Sequence, residues 1–350
     1  METSFPPESA VEPVPPSNYR DRRGGLLACG IILIICGGLV ALGIPLLLLG
    51  ALVSHKASGE TLPLGTYFLS IMTYSFMAAV LVSLGIGSIQ VRRWARALVL
   101  IVSSVWLTGG ILVTALITAI LPASFMIGFK QGAAMNPNAP APSPVLIAVI
   151  LTFMIVVFSV FLVVLPLSLL LFYRSRNVAE TFQRRDPQQR WTDRCPIPVL
   201  AISLLFACAS PYYLLMSFTT PLVPFFGRYL TGIAGGVGCL LLAGLDAYVA
   251  IALFRLKLAG WWVTVGYLSL RIASAAITFH RGDLLQAYSS MGWKESQLQA
   301  MGSNPIFRSG VVLWWSLALT LLFLGYVVWL KKYFRPPLVQ AEATTLPSSI

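Results

Sequence analysis

Apolar residues in this chain come in long blocks, not in the short periodic patterns of a soluble protein. Eight blocks stand out, at roughly 26–53, 66–89, 97–121, 144–173, 198–218, 229–254, 260–279 and 309–330. Each holds the roughly 20 mainly apolar residues with which a helix, rising about 1.5 Å per residue, crosses a bilayer core. The blocks are apolar on nearly every face, so they predict helices surrounded by lipid or by one another. The expected fold is all-α, a polytopic transmembrane bundle of eight spanning helices. The first block outlasts the ~7–15 apolar residues of a signal-peptide core and is expected to remain as a helix. Its Gly30, Gly37, Gly38, Gly43 and Pro45 suit a membrane helix. Pro166 and Pro211 each lack a backbone donor and predict kinks in the fourth and fifth helices.

The polar intervals complete the division. Residues 1–25 form a Pro- and Glu-bearing tail with too little apolar surface to bury, expected to be disordered. Residues 26–173 carry helices one to four, and 174–197 a basic loop. Within that loop a short helix is expected from Asn177 to Arg185, ended by Asp186-Pro187, with Glu180 and Arg184 spaced for an i,i+4 pair. Residues 198–330 carry helices five to eight, and 331–350 a second tail. Residues 122–143 predict an extended linker. The loop 280–308 predicts two short helices, with Leu284, Leu285, Tyr288 and Met291 on one face.

Composition agrees with a membrane protein: 57% hydrophobic, 10% charged, mean hydropathy +0.82. A soluble domain carries about 25% charged residues. The net charge of +12 would suggest nucleic acid in a soluble chain, but its distribution argues otherwise. The termini and the even-numbered inter-helix turns hold 17 Lys/Arg, and the opposite loops hold 6. By the positive-inside rule this places both termini in the cytoplasm, with no nucleic-acid partner implied. Arg174, Arg176, Arg184, Arg185, Arg190 and Arg194 of the basic loop are expected to meet anionic headgroups; ordinary positive-inside charge is the plainer account of the same residues.

The sequence offers little catalytic chemistry. Five cysteines (Cys29, Cys36, Cys195, Cys208, Cys239) form no C-x-x-C pair. His55 and His280 sit apart at the outer edge, with no metal-ligand cluster, so no metal site and no cofactor are expected. No P-loop and no G-x-S-x-G elbow occur.

Only Asp246 and Arg271 place formal charge well inside apolar blocks. Asp246 belongs to a small-residue stripe, Gly232, Gly236, Cys239, Ala243, Asp246 and Ala250, whose spacing lets a second helix approach closely. Arg271 belongs to a polar stripe, Thr264, Tyr267, Arg271, Ser274 and Thr278. Counted from the turn near Lys257, the two charges differ in depth by only ~4–5 Å. Either alone would cost at least ~2.5–3.5 kcal/mol at the bilayer centre. Two readings stand side by side: a buried ion pair that locks two helices, or the lining of a polar path.

The halves also align. Gly65-Thr66-Tyr67 and Gly227-Arg228-Tyr229 each open a helix that ends in a basic turn. Four helices per half would give a 4+4 parallel repeat; convergent loop composition is the competing account. On this alignment Asp246 falls opposite about Leu84 and Arg271 opposite about Thr108, so the charges have no counterpart in the first half.

Short motifs carry one resemblance. Arg190-Trp191-Thr192-Asp193-Arg194-Cys195-Pro196, Arg92-Arg93-Trp94-Ala95-Arg96 and Gly260-Trp261-Trp262 resemble segments of uncharacterised bacterial multi-spanning membrane proteins. The resemblance covers most of residues 60–330 and implies an eight-helix membrane protein and no activity; the expected location is a bacterial inner (plasma) membrane. Three functions follow as expectations, in this order. The first is a non-enzymatic structural or partner-binding protein, with a protein partner or a second copy left open. The second is a permease-like transporter of a small solute or ion using Asp246 and Arg271. The third is an intramembrane enzyme acting on lipid, for which no motif speaks.

Overall fold

A computed structural model describes residues 21–58, 64–135, 143–291 and 310–334, with positions 293, 295, 298, 299 and 302 between them. Eight helices are long and apolar enough to cross a membrane. They are α1 (Arg23–Ser58), α2 (Leu64–Ile89), α3 (Arg93–Met135), a fourth span made of α4 (Pro144–Ser159) and α5 (Leu165–Arg174), α7 (Ile197–Thr219), α8 (Gly232–Phe254), α9 (Leu258–Arg281) and α11 (Val311–Trp329). The short helices α6 (Arg176–Arg185) and α10 (Leu284–Ser290) lie between spans. Large apolar side chains such as Leu46, Phe153 and Leu322 are two-thirds exposed or more, which water would penalise and lipid would not. The chain is a multi-pass membrane protein with the all-α architecture its sequence predicts.

Between α4 and α5 the backbone forms one π turn, Val160–Val164, closed by Leu165 N–H donating to the Val160 carbonyl. That slip in the hydrogen-bond ladder lies directly before Pro166, which has no N–H to continue it. By contrast Pro45, Pro122 and Pro211 lie inside uninterrupted helices.

Two expectations need correction. Residues 122–135 continue α3 as helix, so the expected linker shrinks to a stretch centred on 136–142, outside the described residues. Apolar and helix-favouring residues (Phe125, Met126, Ile127, Ala133, Ala134) outweigh Pro122 there. The sixth span begins at Gly232, not Tyr229, because 223–230 form a β-hairpin, β1 (Val223–Phe225) with β2 (Arg228–Leu230). Phe226 and Gly227 make its two-residue turn, with φ of 39° and 98°. Positive φ at both positions matches the twist of paired strands. The tails at 1–20 and 335–350, the His55 side chain and most of 292–309 lie outside the described residues.

The two halves are built alike. In the first, α1 packs chiefly on α2, and in the second α7 packs chiefly on α8. A Cβ on Gly30 would lie 2.8 Å from the Gly85 carbonyl oxygen, and one on Gly37 3.1 Å from that of Ala78. Ser203 and Ser210 hold those places in the second half, their hydroxyls donating at 2.8 Å to the Ala250 and Ala243 carbonyls. Residues 78–90 and 243–255 pass through buried, half-buried and exposed positions in the same order, residue by residue. Each stretch then ends in the same closure. Val91 and Leu256 adopt left-handed φ of 54° and 53°. Arg92 N–H reaches back to the Gly87 carbonyl at 2.9 Å, and Lys257 N–H to that of Ala252 at 3.0 Å, the six-to-one bond of a Schellman motif. Beyond the turn, Arg96 Nε donates to the Tyr173 carbonyl at 3.3 Å and Trp261 Nε1 to that of Val327 at 2.8 Å. Both bonds tie a third span to a fourth.

This register revises the sequence alignment. Asp246 stands opposite Leu81 and Arg271 opposite Trp106, rather than Leu84 and Thr108. The sequence alignment was anchored on Tyr229, which belongs to a strand, whereas the matched turns fix the helices themselves.

Both termini of the described chain lie at one end of the bundle. Arg185 pairs with Asp21 at 3.1 Å, bringing α6 beside the start of α1. Phe334 is buried in the same cluster as Cys195 and Val199, where α7 begins. Residues 174–197 therefore share an end with residues 21 and 334. There Ser88 hydrogen-bonds the buried Tyr173 hydroxyl and reaches the Leu26 carbonyl at 3.3 Å, joining α2, α5 and α1.

Candidate functional site

The small stripe of α8 does face another helix. Cys239, Ala243, Asp246 and Ala250 are all buried, and Ala243 and Ala250 accept the α7 serine bonds. Gly232 is exposed and instead supplies a left-handed residue (φ 59°) where the hairpin enters α8. Gly236 is half-buried. Gly235 holds the close approach at that end, since a Cβ there would meet the Leu230 and Pro221 carbonyl oxygens at 2.7 and 2.9 Å.

The polar stripe of α9 divides into two tasks. Toward the hairpin, Ser274 Oγ accepts from Phe226 N–H and donates to the Pro224 carbonyl, both at 3.0 Å. Thr278 Oγ1 accepts from Gly227 N–H at 3.0 Å. These hydroxyls satisfy a strand turn that would otherwise carry unpaired backbone groups at the membrane edge. Deeper in the span, Arg271 Nη1 donates to the Tyr267 hydroxyl at 3.1 Å and Nη2 to the Tyr213 hydroxyl at 2.7 Å. Its guanidinium also lies over both rings, 5.4 and 5.5 Å from their centres, within cation–π range. Thr264 is fully buried and bonds its own helix through the Gly260 carbonyl.

Asp246 is 0% exposed, and neither carboxylate oxygen has a hydrogen-bond partner among the described residues. The groups acting on it electrostatically are Tyr267 and then Arg271. The four ion pairs among the described residues all lie at the terminal end of the bundle, and Asp246–Arg271 is not one of them. The expected charge pair is therefore mediated: Tyr267 holds the arginine, and Asp246 faces Tyr267. Sequence reasoning missed Tyr213. A tyrosine in mid-span is a signal, but Tyr212 adjoins it and only the packing of α7 separates the two.

The six arginines of the basic loop are unevenly engaged. Arg176 pairs with Glu180 at 3.0 Å, Arg185 with Asp21, and Arg190 with Asp186 at 3.0 Å. Glu180 thus takes its partner one turn before itself. Arg174 and Arg194 are exposed, as is Arg184. Asp186 accepts from Arg93 N–H at 3.2 Å, so one carboxylate joins the loop to the start of α3. The Arg190 guanidinium holds its carboxyl below the usual range, opposed by burial. Among the described residues no group of His, Cys, Asp and Glu could hold a metal ion. Comparison with known protein families, with curated proteins and with solved structures finds no match to this chain, so its site is read from its own geometry.

Proposed function

We propose that this chain is a non-enzymatic structural or partner-binding protein of a bacterial inner (plasma) membrane, with both termini cytoplasmic. In it the Asp246–Tyr267–Arg271–Tyr213 network fixes how the fifth, sixth and seventh spans meet. One observation carries the reading: Asp246 is wholly buried, between a small-residue stripe and an aromatic–arginine cluster. A residue that hands solute or ions along a path must at some stage be reached by water, whereas a dry contact positions helices. Surplus Lys/Arg at the terminal end supports the orientation.

A permease-like role for the same region is the second reading, favoured by the two carboxylate oxygens left without partners. Cysteine labelling separates the two. In membranes, Asp246→Cys should take up no more of a water-soluble thiol reagent from either side than the unmodified chain does. Extra labelling from one side would establish an aqueous route to this position and favour transport.

A further inference from the structure

At the terminal end, α3, α6 and the segment Thr192–Ile197 that leads into α7 line a partly open pocket of about 370 Å³. That lies within the ~300–1,000 Å³ of ordinary ligand pockets. Arg93, Arg96 and Arg194 line it, against the single carboxylate of Asp193. Arg93 approaches Asp193 at 3.7 Å and spends one Nη on the Pro187 carbonyl. Arg96 uses only Nε, on the Tyr173 carbonyl, and its guanidinium feels the charges of both Asp193 and Arg93. Arg194 has no partner among the described residues. The wall also holds Thr192, 2% exposed, whose hydroxyl is likewise without a partner there. The first residue of α7, Ile197, opens onto the same space, and that helix has no side-chain cap.

We propose that this pocket binds a phosphate monoester group, with Arg96 and Arg194 as its cationic clamp and the Thr192 hydroxyl as a neutral donor. Arginine forks match phosphate oxygens with paired charge-assisted bonds. An uncapped helix N-terminus adds positive potential of the right sign. The orphaned Thr192 hydroxyl gains its missing acceptor. Cys195, also on the wall, supplies no anion of its own: burial pushes its thiol up to about 11. The pocket lies where spans begin and end, so the monoester can reach it as a lipid headgroup or from solution.

Binding to the full-length chain in neutral detergent tests this, with three probes: dihexanoyl phosphatidic acid, inorganic phosphate and dihexanoyl phosphatidylcholine. Phosphatidic acid should raise the unfolding midpoint, and phosphatidylcholine should leave it unchanged. An equal rise with inorganic phosphate identifies a soluble phosphate as sufficient, and its absence identifies the lipid headgroup. Arg194→Gln, which breaks no internal bond, should weaken apparent binding by about tenfold or more, as loss of a charged hydrogen bond does. Arg96→Gln should do the same, and Arg176→Gln, outside the pocket, should change nothing. No response of the unmodified chain to either phosphate probe would overturn the proposal. So would a response that survives both Arg194→Gln and Arg96→Gln, or one that disappears with Arg176→Gln.

Discussion

Arg271 shows how a membrane interior accommodates a formal charge without an ion pair. Two tyrosine hydroxyls take its N–H groups and two rings take its face. Tyr267 serves twice, since it also acts on Asp246. Tyr267→Phe should therefore cost more than Tyr213→Phe, by about 1–3 kcal/mol against about half that, because only the first also removes the hydroxyl dipole that acts on Asp246. Thermal unfolding in detergent checks the ranking. At the terminal end, Asp186 gives a pH prediction. Its folded carboxyl titrates below the unfolded value near 4, so its contribution is present at neutral pH and lost as pH falls through the lowered folded value. Asp186→Asn should lower the unfolding midpoint at pH 7 and shrink the difference between the proteins below about pH 4, in a pH series of melts.

Helices meet here through small residues and short hydroxyl bonds, as expected where lipid removes the hydrophobic drive between spans. Gly85→Val should separate α1 from α2, since any Cβ there would strike the Gly30 backbone. Gly38→Ala should be silent, because nothing lies within 4 Å of its position. Yield and melting of the two variants make the comparison. The spans were legible in the sequence because a block of apolar residues long enough to cross a bilayer has few other uses. Their ends were less so. Residues 122–135 read as a linker because Pro122 and Lys130 interrupt the block, yet a proline inside a membrane helix can be absorbed by its neighbours. The hairpin at 223–230 was hidden because Phe226 is an unusual residue for a turn with positive φ, and because most of it lies in the short interval between two apolar blocks, with Tyr229 and Leu230 reading as the start of the next helix. In the site, Asp246 and Arg271 were visible as lone charges. Their mediation by Tyr267 and Tyr213 was not, since side-chain reach across three helices leaves no local pattern.

For the molecule as a whole, the matched halves put the chemistry in one of them. At equivalent turns, crossings and burial positions, the first half carries Leu81 and Trp106 where the second carries Asp246 and Arg271. A scaffold of four spans thus occurs twice, and at these two matched positions only the second carries formal charge. Coupling between Asp246 and Arg271 is what separates a network from two isolated charges, and a thermal double-mutant cycle measures it. Asp246→Ala and Arg271→Ala should each destabilise the protein, and the double variant should lose at least ~1 kcal/mol less than the two losses added. Strictly additive losses would mean that aspartate and arginine act independently, and would contradict a shared network.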